Sequence, residues 1–167
     1  MGRRTSGDRL RDLSDVIFTA SREGRPVWLD TAAMIMYLQN DVPYAEGLAP
    51  IIEHPGIPIG ISTITLAETL AGPARFGDEL SMRRIRVGIL KLPRIVVAPF
   101  DEETAVIAAR VRGRSGLKLP DAGIIASAIR ERAVCIVGND LRWRSKEIGL
   151  PFFSLSKLGG GDSKSRR

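Results

Sequence analysis

The sequence contains only one cysteine and one histidine, and it has no long apolar run. A single cysteine excludes an intramolecular disulfide and a zinc site built from clustered cysteines. Cys135 stands inside the apolar run Ala133–Val137, so we expect a buried structural thiol. No stretch approaches the roughly 20 apolar residues of a membrane span, and the N-terminus lacks a signal-peptide pattern. We therefore expect a cytoplasmic protein with no membrane segment.

The single histidine is a weak candidate for catalysis. His54 lies in the segment Glu53-His54-Pro55-Gly56, whose composition is typical of a loop that follows a helix. We expect a surface histidine rather than a general base.

Length and composition predict one folded unit. The 167 residues, 44% hydrophobic and 26% charged, are enough for one core but not for two full-sized domains. The net charge of +6 is compatible with a polyanionic partner such as nucleic acid, and equally with a solvated basic surface. The two ends of the chain contribute most of this charge, so the central part is only mildly basic.

Short apolar runs recur along the chain and are predicted to form strands. Because they lack a clear alternation of apolar and polar residues, they suit a parallel sheet covered on both faces. The five runs are Val27–Leu29, Ile59–Ser62, Ile95–Val97, Val134–Val137 and Phe152–Leu155.

Segments with helical periodicity separate these runs, which predicts an α/β fold with a parallel sheet. They are Thr31–Gln39, Thr65–Ala71, Glu79–Leu90, Asp101–Val111, Asp121–Arg132 and Leu141–Ile148. Thr65 and Glu68 have the spacing of a capping box, Asp101 precedes two further acids, and Pro120 marks a helix start. Residues 9–22 have the pattern of an additional amphipathic helix, and 159–167 that of a flexible tail.

Four acids recur at one kind of position, just after a strand or near the start of a helix: Asp30, Glu68, Asp121 and Asp140. The carboxyl ends of parallel strands share one edge of the sheet, where α/β proteins form ligand crevices, so these acids can meet. Acids also occur at helix starts simply as caps, and that interpretation remains open for each residue alone. Four together favour a shared site.

A carboxylate cluster suits Mg²⁺ or Mn²⁺, because these hard cations prefer oxygen ligands and keep waters that a phosphate can replace. Such an ion activates a bound water and offsets charge on a phosphate. The cluster therefore predicts metal-assisted hydrolysis of phosphodiesters.

Four stretches that contain these acids resemble the PIN-domain ribonucleases, and specifically the VapC-type toxins of toxin–antitoxin pairs. They occur in the family's order within about residues 26–158, and as a set they are fairly specific. The stretches are Val27–Thr31, Ile61–Glu68, Lys118–Ala128 and Val137–Arg142.

The resemblance implies a three-layer α/β/α fold with a five-stranded parallel sheet. It also implies Mg²⁺ or Mn²⁺ held by the four acids, cleavage of single-stranded RNA, a small antitoxin partner and a homodimer. Thr31 matches a supporting hydroxyl, and we also assign Asn139 a supporting role. Gly138 departs from the pattern, because the family often has Thr or Ser two residues before the last Asp.

This interpretation divides the chain into an N-terminal extension (1–25), a PIN-like domain (26–158) and a tail (159–167). Cations flank the acids in sequence and are candidates for RNA phosphate contacts: Arg112, Arg114, Lys118, Arg142 and Arg144. We expect the first three to lie in a flexible basic loop. Trp143 would stack on a base or, more simply, pack in the core. The segment Glu79–Leu90 mixes apolar and basic residues and would contact an antitoxin or second protomer, or merely cover the sheet.

Other functions remain possible at this point. A phosphatase with Asp30 as nucleophile lacks the second acid expected two residues later, because the sequence continues Thr31-Ala32. A receiver-type phosphoacceptor would need paired acids after the first strand, which are also missing. A PIN-like domain without activity, serving as an RNA-binding or scaffold protein, is the remaining alternative.

Overall fold

Five parallel strands form a single sheet in the computed structural model, which describes residues 13–157 except the side chains at 144, 145 and 157. The strand order is β3-β2-β1-β4-β5. The strands are β1 Val27–Leu29, β2 Ile59–Ser62, β3 Ile95–Ala98, β4 Cys135–Gly138 and β5 Phe152–Ser154. All four neighbouring pairs are parallel, which confirms the predicted fold class.

Seven α-helices lie within the described residues. They are α1 Leu13–Glu23, α2 Thr31–Leu38, α3 Tyr44–Ile52, α4 Thr63–Ala74, α5 Glu79–Leu90, α6 Glu102–Ser115 and α7 Leu119–Arg130. Two short 3₁₀ helices, Leu141–Ser145 and Leu155–Lys157, flank β5. No helix in this part of the chain is long and apolar enough to cross a membrane.

Alternate residues of the central strands divide the core into two layers. Val27 and Leu29 pack with α1, α2 and α3 on one face, whereas Trp28 packs with α6 and α7 on the other. Successive side chains of a strand point to opposite faces, so this alternation places helices on both sides of the sheet. The sheet and the helices on its two faces together form the three-layer α/β/α arrangement. Cys135 is buried in the first layer, as predicted, and burial raises its thiol pKa to about 12.

Gly60 explains how the Trp28 indole fits between sheet and helices. A Cβ at Gly60 would lie 2.0 Å from the Trp28 ring, so the ring occupies the space of the missing side chain. The two residues are register partners on β2 and β1.

Some sequence expectations were wrong. Helix α3 was not predicted, because Gly47 and Pro50 lie inside it and interrupt the helical pattern. The proposed capping box at Thr65 does not form: α4 begins at Thr63, and the Ser62 side chain accepts the Thr65 amide. The predicted helix after β4 is only a 3₁₀ helix.

The N-terminal amphipathic helix is present from Leu13, and Val16 and Ala20 bury their side chains in the main core. Residues 9–12 of that prediction and the tail 159–167 lie outside the described residues. The boundaries proposed between extension, domain and tail stay predictions.

The chain reverses its direction across the sheet at β1. It runs from β1 outward to β2 and β3, and then returns to place β4 on the other side of β1. At such a switch point the connections diverge and leave a crevice at the carboxyl ends of the strands. Asp30 and Asn139 directly follow the two strands that border this point.

Candidate metal and nuclease site

The four predicted acids all line one open cavity of about 330 Å³ at the switch point. They come from four different connections of the fold: Asp30 follows β1, Glu68 lies in α4, Asp121 in the first turn of α7, and Asp140 follows β4. The remaining lining residues are Thr31, Ala32, Ile124, Asn139 and Trp143.

Asp30 is the most buried acid of the crevice, with 5% of its surface exposed. It caps α2 through a hydrogen bond from the Ala33 amide to Oδ1 (2.7 Å), and its Oδ2 accepts the Asn139 amide (3.1 Å). Burial raises the Asp30 pKa to about 6 despite these two donors, and the charges of Asp140 and Asp121 add to the increase. Asp30 therefore carries a charge that its surroundings do not balance.

Glu68 lies in the second turn of α4 and is exposed. Its carboxylate accepts a hydrogen bond from the Thr31 hydroxyl, so the side chain bends toward the start of α2. This contact gives Thr31 the position expected of a supporting residue.

Asp121 is close enough to the other acids for their negative charges to change its pKa. Burial raises its pKa, and the charges of Asp140 and Glu68 raise it further. The cations Arg142 and Lys118 partly offset this effect. These mutual influences show that the crevice concentrates negative charge.

Asp140 differs from the other acids because an arginine neutralises it. The Arg142 side chain donates from Nε to both Asp140 oxygens, at 2.9 and 3.0 Å, and also from Nη2. These bonds hold the pKa of Asp140 below its ordinary value. Nothing in the sequence pattern predicted this pair, because local charge spacing does not reveal side-chain direction.

The donor set fits Mg²⁺ or Mn²⁺ chemically: the side chains are oxygen ligands, and two of them have raised pKa values that a cation would reverse. However, the described side chains do not surround one ion position. Within residues 13–157, no group of three or more acidic, histidine or cysteine side chains is close enough to hold a metal ion. Because Arg142 already occupies the Asp140 carboxylate, binding through all four acids requires a local rearrangement.

Two of the predicted RNA-binding cations are not in a loop. Arg112 and Arg114 lie in the last turn of α6, which ends at Gly116 in the left-handed conformation. The flexible basic loop expected there was wrong, because the helix continues through Gly113. Lys118 immediately precedes α7 without a capping hydrogen bond from its side chain, and its positive charge lowers the pKa of Asp121. The Arg144 side chain is outside the described set.

The remaining candidates take structural positions. Trp143 is 2% exposed and packs against Phe152, with ring centroids 5.8 Å apart, which confirms core packing over base stacking. His54 lies away from the acids, beside α1, where its Nδ1 accepts the Gly56 amide. Helix α5, the Glu79–Leu90 segment, contributes no lining residue to the crevice.

The layers, the strand order and the acidic crevice define an α/β protein with a carboxylate site at its switch point. The chain belongs to the PIN domain family, whose model matches residues 27–148. No curated protein matches the sequence significantly.

Several solved structures share the fold. VapBC2 from Rickettsia felis, bound to a DNA fragment from its promoter, matches with 19% identity over 77% of this chain and 97% of that chain (TM-score 0.61). FitAB bound to an IR36 DNA fragment matches with 24% identity over 77% and 94% (TM-score 0.60). DNA-bound VapBC from Salmonella typhimurium matches with 20% identity over 78% and 98% (TM-score 0.59).

Proposed function

We propose that this protein is a Mg²⁺- or Mn²⁺-dependent endoribonuclease that hydrolyses phosphodiester bonds of single-stranded RNA, and that it is the toxin of a toxin–antitoxin pair. The observation that carries the proposal is the convergence of Asp30, Glu68, Asp121 and Asp140 on one crevice of a PIN domain. Membership of this family disfavours the phosphatase and receiver alternatives. An inactive scaffold remains the competing function, and intact acids argue against it.

Three of the four acids would contribute differently to ion binding. Asp30 is held by two backbone amides and gives a fixed ligand, whereas Glu68 is exposed and oriented only by Thr31. Asp140 would join after its pair with Arg142 opens. When bound, the ion would lower the pKa of a water and offset charge on the phosphate.

The cations nearest the acids would hold the substrate. Arg142 and Lys118 both act electrostatically on Asp121, so a phosphate near the acids would meet their positive charge. An Arg142 guanidinium that turns from Asp140 toward the substrate would make a bidentate phosphate contact. Asn139 lies beside Asp30 and would support the site through its backbone N–H, which donates to Asp30 Oδ2.

A small antitoxin is the proposed partner, since the structural neighbours include VapBC complexes. We propose that it contacts α5 and covers the crevice to suppress cleavage. Helix α5 buries only Ile89 among its twelve residues and exposes Leu80, Val87 and Leu90. Three arginines on this helix form no ion pair within residues 13–157, namely Arg83, Arg84 and Arg86. A partner with acidic and apolar side chains therefore fits this surface. A homodimer and a cytoplasmic location remain predictions.

A cleavage panel tests the function. Purified protein is incubated with single-stranded RNA, double-stranded RNA and single-stranded DNA, each with Mg²⁺, Mn²⁺ or EDTA. We expect cleavage only of the single-stranded RNA and only with a divalent ion. Equal cleavage in EDTA would contradict metal dependence, and no cleavage of any substrate would favour the inactive scaffold.

A further inference from the structure

Gly138, the last residue of β4, lies directly against the Asp30 carboxylate. A Cβ at position 138 would be 2.3 Å from Asp30 Oδ2 and 2.7 Å from its Cγ. These separations are far below van der Waals contact, so any larger residue must displace something. The backbone at Gly138 is not in the left-handed region. Space, rather than conformational freedom, therefore accounts for the glycine.

Asp30 cannot move aside without losing its own contacts. Its Oδ1 accepts the Ala33 amide and its Oδ2 the Asn139 amide. The oxygen that a Cβ at position 138 would strike is the same Oδ2. Because Asp30 is buried, displacement would also leave a polar group without its partner.

We infer that Gly138 is a positioning residue, whose missing side chain allows the Asp30 carboxylate to bridge the start of α2 and the end of β4. The family pattern predicts a supporting hydroxyl at this position, but in this chain the Asp30 carboxylate occupies that space. The consequence for ion binding rests on the proposed function. The packing of Asp30 against Gly138 does not.

A double-mutant cycle tests the packing in metal-free protein. Gly138→Ala should lower the melting temperature by on the order of 5 °C, because it overpacks a buried contact. In an Asp30→Ala background the struck atoms are absent, so the same substitution should cost little. Amide resonances supply a second readout: the Asn139 amide should shift in Gly138→Ala, because its hydrogen bond to Oδ2 is lost.

Gly60→Ala is the matched control. It also forces a Cβ into a neighbouring side chain, the Trp28 ring, but touches no acid. Its cost should be the same with and without Asp30, and the Asn139 amide should stay in place. If Gly138→Ala prevents folding, recovery of folding in the double variant supports the inference. Equal losses from Gly138→Ala in both backgrounds would overturn it and point to the nearby Phe152 ring instead.

Binding of Mn²⁺ alone connects the packing to the site. Titration followed by electron paramagnetic resonance should show affinity reduced by about tenfold or more in Gly138→Ala, as for other losses of ligand support. Gly138→Ser should be weakened similarly. Stronger Mn²⁺ binding by Gly138→Ser would overturn the inference, because a hydroxyl rather than space would then limit the site.

The two proposals fail separately. Wild-type protein that cleaves no RNA would contradict the proposed function, while the coupling between Asp30 and Gly138 could still be measured. Additive losses in the cycle would reject the inference even if the wild type is an active nuclease.

Discussion

The crevice acids differ in how well their charges are balanced, and this difference governs their chemistry. Asp140 is paired with Arg142, whereas Asp30 is buried near two other acids. The protein therefore holds Asp30 in a state that favours either a proton or a cation. Its titration should be visible in stability as well as in ion binding.

Stability should depend on pH through Asp30. Its pKa is about 6 in the folded protein, against 3.8 for an ordinary aspartate. The folded state thus binds the proton more tightly, so the associated stability is complete below the unfolded pKa and is lost as pH rises through 6. The full loss is about 3 kcal/mol, from the roughly two-unit shift.

Thermal melts of wild type and Asp30→Asn in EDTA, between pH 4.5 and 8, check this expectation. The wild type should lose on the order of 5 °C more than the variant over this range. Only the difference in slope is informative, since Asn cannot accept both amide hydrogen bonds and starts from a lower stability. Parallel curves would show that Asp30 is not the group that titrates.

Cations near the site should matter more for RNA than those on α6. Lys118→Ala should weaken binding of single-stranded RNA severalfold at low salt and reduce the salt slope by about one. Arg112→Ala removes the same charge from the exposed surface of α6 and should have a smaller effect. Filter binding across a salt series measures both. Equal losses would mean that RNA extends along α6.

Helix α5 carries the prediction about partners. Reversing charge in Arg83→Glu/Arg84→Glu should reduce co-purification with the proposed antitoxin while leaving the proposed RNA cleavage unchanged, because α5 does not line the crevice. Arg110→Glu, on exposed α6, is the control. Retained partner binding would place the antitoxin elsewhere. Light scattering of the purified protein tests the homodimer independently.

The sequence predicted strands better than helix ends. All five apolar runs became strands, because the sheet interior demands continuous apolar residues. Helix α3 was missed because Pro50 is tolerated inside it, and α6 was predicted too short because Gly113 was read as a loop residue. Local rules failed where tertiary packing outweighs weak helix propensity.

Among the site residues, the acids were predictable and their pairing was not. Positions after strands identify candidates such as Asp30 and Asp140, since they share a sheet edge. The Arg142–Asp140 pair and the approach of Asp30 to Gly138 depend on side-chain conformation and on the exact strand spacing. Neither leaves a signal in residue order.

At the scale of the whole molecule, the site exists only because the sheet brings distant segments together. Asp30 and Asn139 are 109 positions apart in sequence, yet a hydrogen bond joins them across the β1–β4 boundary. The acids come from connections on both sides of this boundary. The negatively charged crevice therefore forms only in the folded protein. Because a cation would bind the folded state and not the unfolded chain, a bound cation should stabilise the protein.

The most direct test of the central claim compares two aspartates at helix starts. Asp121 lies in the acidic crevice, whereas Asp101 caps α6 and pairs with Arg130 away from it. Each is changed to Asn, and the rate of single-stranded RNA cleavage is measured with Mn²⁺. We expect Asp121→Asn to lose activity by on the order of a hundredfold or more without loss of folding. Asp101→Asn should keep its activity but melt at a lower temperature, because its charge is stabilised by Arg130. Wild-type cleavage by Asp121→Asn would show that the acidic crevice is not the site of hydrolysis.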